Sequence, residues 1–258
     1  MNILQDFLSL LGGCIALFVV NSRAQFGVTL LIGIALAALC WFGCSRYSRL
    51  WHLRYRVTVT HHVLCALAAI LTLVFVIVFA ALRYTKEAAY ASVQAWETQI
   101  NMDVVWAGRT FATAWEKVKS LGLEDFSNVP PPGLPNSHIP TNKPASIHLA
   151  AATYAKASAE HFQKNRPFLS EILQARTELP SRILDADINN YFATVSKSYP
   201  PTRAISLVAG EIKGQLDEQV PRVVTIFRSL AVGLFLGVQC IPFALVGWAA
   251  YKALKVKT

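Results

Sequence analysis

Acidic residues are almost confined to the middle of this 258-residue chain: outside 86–222 there is one, Asp6, against ten lysines and arginines. Cysteine has the opposite distribution. Cys14, Cys40, Cys44, Cys65 and Cys240 lie in apolar stretches and the polar middle has none, so that region is expected to be held by its own core and not by disulfides. The chain has no Asn-x-Ser/Thr acceptor, which favours a bacterial periplasm over a secretory lumen for any extracytoplasmic part. It also lacks a Gly-rich phosphate loop, HExxH and GxSxG. Asp185 and Asp187 read as a solvated helix face, and His148 and His161 share no helix face. No catalytic group and no cofactor is therefore expected, and the chain does not read as an enzyme. No stretch alternates apolar and polar residues as a half-buried strand would.

Apolar sequence is what the chain has in excess: 54% of residues are hydrophobic and 15% charged, beyond the balance of a soluble domain. The net charge of +9 follows the apolar segments, because 86–222 holds fourteen basic and fourteen acidic residues and is neutral. A nucleic-acid binder carries its excess on the folded polar domain, so no nucleic-acid partner is expected. The apolar runs predict transmembrane helices at about 3–20, 26–44 and 63–82, with a fourth beginning at 223. Val63 to Leu82 is twenty residues without a charge, enough to cross a hydrocarbon core of ~30 Å. The first run is the shortest, being interrupted by Gln5 and Asp6, and residues 21–25 are expected to form a turn before the second.

Orientation follows from the cations. The loop 45–62 carries Arg46, Arg49, Arg54 and Arg56, and the tail carries Lys252, Lys255 and Lys257, all without a neighbouring acid. The positive-inside rule places both in the cytoplasm. Trp41, Tyr47, Trp51, Tyr55, Trp248 and Tyr251 would form an aromatic belt on that side. Four spans then put both termini in the cytoplasm and 83–222 outside, with an inner-membrane location.

Within that polar region, Val93, Trp96, Ile100, Val104, Ala107, Phe111, Trp115 and Val118 recur at steps of three and four and predict one continuous amphipathic face. Gly122 closes it. The segment 123–144, with six prolines from Pro130 to Pro144, predicts an extended connection. Helices are expected from Ala145, over 167–178 and 181–198, and again after Pro200-Pro201, since proline suits a first helical turn. The fold class is thus an all-α integral membrane protein. Four transmembrane helices carry an α-helical extracytoplasmic bundle inserted between helices 3 and 4, and 223–258 supplies the last span and tail.

Cys40 and Cys44, and His61 and Cys65, are i,i+4 pairs at the same end of neighbouring spans, with His62 beside them. Thiolate and imidazole ligands of this kind suit zinc or copper; the alternative is that the cysteines are small apolar fillers. Gly233 and Gly237 form a small-xxx-small step for close helix approach. Trp106 falls off the apolar stripe and is either a partner contact or packed under the proline segment. No Asp, Glu, Lys or Arg sits in the middle of a span, which argues against a coupled transporter.

The order of spans, with a tiny first outer loop and a large helical second one, is similar to the tetraspanin layout. That family's second outer loop carries a Cys-Cys-Gly motif and disulfides, and no cysteine stands between Cys65 and Cys240, so the likeness is one of topology and brings no function with it. The expected role is interaction or assembly: a scaffold or subunit of a cell-envelope complex such as a secretion or conjugation apparatus. Its expected partners are the lipid bilayer, other membrane or periplasmic proteins, and a second copy in a homo-oligomer. The alternatives are a sensor with a ligand-binding outer bundle and an oligomeric pore.

Overall fold

The computed structural model describes residues 2–51, 58–125, 139–173, 187, 190 and 198–255. Its helices are α1 (Ile3–Asn21), α2 (Arg23–Trp51), α3 (Val59–Ala81), α4 (Thr85–Met102), α5 (Val104–Ser120), α6 (Pro144–Asn165), α7 (Pro167–Ile172) and α8 (Pro201–Lys255). One two-residue strand pair, β1 (Ile139–Pro140) and β2 (Ser198–Tyr199), accompanies them. Four helical stretches, Ile3–Asn21, Arg23–Tyr47, Val59–Met102 and Pro201–Ala253, are long and apolar enough to cross a membrane, consistent with an all-α membrane protein. The chain divides into a polar unit, Met1–Leu10 with Ala89–Gln219, and an apolar unit, Leu11–Ala88 with Val220–Thr258.

In the apolar unit α2 packs along α3. They approach closely at Gly33: a Cβ there would stand 2.8 Å from Leu73 Cδ1, so glycine permits this helix separation. From α8, Phe235 stacks on Phe75 at 4.1 Å between centroids and Phe243 meets Tyr47 edge-on. The reversal expected at 21–25 is absent. Ser22 N–H donates to Phe18 O (3.3 Å) and Phe26 N–H to Ser22 O (2.8 Å), so helical hydrogen bonding continues through the junction. The second half of α1 lies along 84–88, not beside α2. Cys14 Sγ approaches Thr85 Oγ1 (3.9 Å), Phe18 meets Tyr84, and Ser22 bonds the Tyr84 hydroxyl. Gln25 accepts from Arg83 just beyond. Read from Gly13 to Gly33, the contacts step steadily from Ala88 back to Leu73, as they would along one rod.

The polar unit has a core of α4, α5, α6 and α8. Val93, Trp96, Ile100, Phe111, Trp115 and Val118 are buried with Ile147, Tyr154, Phe162, Ile205, Val208, Ile212 and Leu216. The expected single stripe is broken once. Asp103 ends α4, and its Oδ1 accepts from Trp106 N–H at 2.9 Å as the N-cap of α5. A short acceptor side chain there satisfies an otherwise orphaned first-turn donor. The break turns Val104 outward, 54% exposed, where an unbroken helix would bury it. α4 and α8 run antiparallel, clamped by Tyr90 to Asp217 (2.7 Å) and by Glu97 to Ser206 and Lys213.

Pro144, Pro167 and Pro201 each open a helix, where the missing N–H costs nothing. The helix expected over 167–178 is described only to Ile172, and most of the one expected over 181–198 lies outside the described residues. Two contacts tie down the proline-rich connection. Glu124 Oε1 accepts from Asn142 and Lys143 N–H, and Ile139 pairs with Tyr199 across the antiparallel strands. Asp187 is not a solvated group: Arg203 holds it bidentately at 2.7 and 2.5 Å.

Asp6 is only 2% exposed. Its carboxylate accepts from the Phe168 and Leu169 amides (3.1 and 3.4 Å) and faces Arg166 Nη1 at 3.6 Å, while Phe7 packs edge-on against Phe168. The N-terminal turns of α1 therefore belong to the polar unit. Removing one member of a buried ion pair leaves the other charge uncompensated. Asp6→Ala should destabilise the full chain by about 3 kcal/mol, read as a drop in thermal midpoint in detergent; an unchanged midpoint would show that the pair contributes nothing.

Candidate functional site

The polar unit carries a groove of about 600 Å³ between α5 and α6. On the α5 wall stand Asp103, Val105, Trp106, Arg109, Thr110, Thr113 and Lys117, and on the α6 wall Thr153, Lys156, Ala157, Glu160, His161, Lys164 and Asn165. Both sets repeat at helical steps of three and four, so each wall is one helix face. The first turn of α5 faces the last turns of α6, since Asp103 Oδ2 lies 3.8 Å from His161 Nε2.

His161 anchors the floor. Trp96 is fully buried and its Nε1–H donates to His161 Nδ1 at 3.0 Å. An indole can only donate, so Nδ1 carries the lone pair, and neutral His161 is protonated on Nε2, facing Asp103. Burial pushes the imidazole below its usual range, against the Asp103 carboxylate, which pulls it up, and with Lys164, which adds to the lowering. Trp106 is half-buried, edge-on to His161 at 6.0 Å and 6.5 Å from Tyr154. Burial also raises the Tyr154 hydroxyl, which has no hydrogen-bond partner among the described residues. Four cations rim the groove against two carboxylates, and among the described residues Arg109, Lys117, Lys156 and Lys164 make no ion pair. This arrangement suits recognition of negative charge beside an aromatic surface.

Of the expected ligand set, the structure brings Cys44 and Cys65 together, both fully buried against Val246. Cys40 lies on Gln239, His61 Nδ1 pairs with Thr58 Oγ1, and His62 rests against Trp41. Among the described residues no group of three or more His, Cys, Asp or Glu could hold a metal ion. Gly233 and Gly237 are open, with nothing within 4 Å of an added Cβ. Arg46 sits over the Phe42 ring and Lys252 over Trp248. Arg54, Arg56 and Lys257 lie outside the described residues, as do the side chains of Arg49 and Lys255.

Gln239 carries no charge, so it gives no signal in a span read by its charged residues. Its Nε2 lies 3.0 Å from Ala68 O, 2.8 Å from Thr72 Oγ1 and 2.9 Å from Cys40 Sγ, so two amide hydrogens serve two neighbouring helices. No protein-family model matches this chain, and no curated protein or solved structure is significantly similar to it.

The His161 geometry fixes a pH response. Its pKa is lower folded than unfolded, so the unfolded chain binds more protons below about 6.5. Its stabilising contribution is complete above that pH and declines as pH falls toward the folded value. His161→Gln, which keeps an acceptor for Trp96, should flatten the fall in thermal midpoint between pH 7.5 and 5.5; identical slopes for the two proteins would refute the assignment.

Proposed function

We propose that this chain is an integral membrane interaction and assembly protein, a scaffold or subunit of a cell-envelope complex such as a secretion or conjugation apparatus. The observation that carries this reading is the outer face of α1. Ile3, Leu4 and Leu8 are each more than half exposed on helical turns that Asp6 fastens to Arg166 and α7 in the polar unit. A contiguous exposed apolar face on a helix fixed in this way marks a contact surface. The open Gly233 and Gly237 on α8 add a second surface where another helix can approach closely.

The same contacts bear on topology. Loop 45–62 and the lysine tail belong in the cytoplasm by their charge, which places 83–222 outside, in the periplasm of a bacterial inner-membrane protein. Asp6 bound within the polar unit then supports an N-terminus on that same outer side, with α2, α3 and the apolar part of α8 as the crossings. This departs from the cytoplasmic N-terminus that four spans require. The sensor reading draws support from the α5–α6 groove, which has the size of a ligand site.

Two measurements test this. An epitope ahead of Met1 should be stained on intact spheroplasts, as should one at Lys143, whereas one after Thr258 should need permeabilisation; staining of the N-terminal tag only after permeabilisation would restore four spans. Purified in mild detergent, the native chain should run as a complex with other chains or with itself. An isolated monomer would overturn the assembly reading.

A further inference from the structure

We infer that the groove between α5 and α6 binds an acidic polypeptide segment with an apolar residue at one end, a partner chemistry that rests on the interaction reading above. The polar region as a whole is neutral, yet this surface gathers four cations around two acids, and among the described residues none of the four makes an ion pair. Their spacing decides between a small anion and a chain. Arg109 and Lys117 are eight residues apart on one wall, and Lys156 and Lys164 are eight apart on the other. Each pair is thus separated by roughly 12 Å along its helix, further than one phosphate or carboxylate reaches. Charges strung along a trough open on one side suit an extended ligand with repeated anionic groups.

The end of the trough gives the second half of the ligand. Because Asp103 breaks the helix, Met102, Val104 and Val105 are exposed together at the corner, and Val105 continues into the groove beside the half-buried Trp106. An apolar side chain docks there against the indole while carboxylates run on toward Arg109 and Lys156. Asp103 and Glu160 stand among the cations. They disfavour a uniformly anionic polymer such as a nucleic acid, which would meet like charge at two points, and are readily avoided by a peptide whose acids are spaced.

The test uses the full chain in detergent and a fluorescein-labelled peptide of about ten residues, a leucine followed by glutamates and alanines. Anisotropy should report binding that weakens as salt shortens the Debye length. Arg109→Glu and Lys156→Glu should each weaken it about tenfold, and Lys119→Glu, an equal charge change on α5 away from the groove, should leave it unchanged. Trp106→Ala should weaken binding while preserving the salt dependence. Equal weakening by Lys119→Glu would reduce the effect to net charge and overturn the proposal. Binding of inorganic tripolyphosphate, or of an oligonucleotide, that depends on Arg109 and Lys156 where the peptide's does not would overturn it in favour of those ligands. A chain that purifies as a complex but ignores the peptide refutes the groove alone. A monomer that binds the peptide through Arg109 refutes the assembly reading alone.

Discussion

A single buried carboxylate fastens the first helix of this protein to its polar unit. By composition α1 is a membrane span, and Asp6 is its one charge. An aspartate costs about 2.5–3.5 kcal/mol at the centre of a span and less toward an end, so composition alone leaves the helix free to insert. Inside the polar unit the same group gains an arginine and two backbone amides. Hydrogen bonding continues through Ser22, and the second half of α1 lies along 84–88 while α2 packs along α3.

The apolar unit faces a different constraint, since its helices have little hydrophobic reason to prefer one another over lipid. Specific contacts must set the register. Gly33 removes a side chain where α2 meets Leu73, Phe75 and Phe235 stack, and Gln239 ties α8 to Ala68, Thr72 and Cys40. The Gln239 carbonyl oxygen is buried without a partner among the described residues, so this amide is only partly compensated. An interhelical hydrogen bond in such surroundings contributes about 0.6 kcal/mol, a modest sum energetically. Its geometry is nonetheless directional, which stacked aromatics and small residues are not.

What could be read from the sequence follows from how local each cause is. Uncharged runs near twenty residues long and prolines at first helical turns are local, and the four apolar helices and the openings of α6, α7 and α8 reflect them. The break at Asp103 is not legible in the sequence, because an N-cap and a mid-helix polar residue look alike within a stripe that keeps its phase on both sides. Asp6 and Asp187 were beyond reach for another reason. Their partners, Arg166 and Arg203, are assigned only by tertiary packing, and a pattern of one residue's neighbours carries no such information. The groove combines both difficulties: its walls are ordinary exposed helix faces until Asp103 turns α5 against α6. Trp106 alone gave a signal, as a tryptophan off the stripe.

The balance of charge in 86–222 also conceals how that charge is used. Several acids are engaged internally. Glu97 takes Lys213, Asp187 takes Arg203, Asp217 accepts from Tyr90, and Glu124 closes the proline-rich connection on backbone amides. Asp6, contributed from outside that range, takes Arg166. Each acid held this way is already engaged within the unit. A neutral sequence therefore folds into a unit whose exposed charge is uneven, and four of its lysines and arginines line the trough between α5 and α6. Electrostatic character at a protein surface is set by which partners the fold has already consumed, a quantity that counting residues cannot supply.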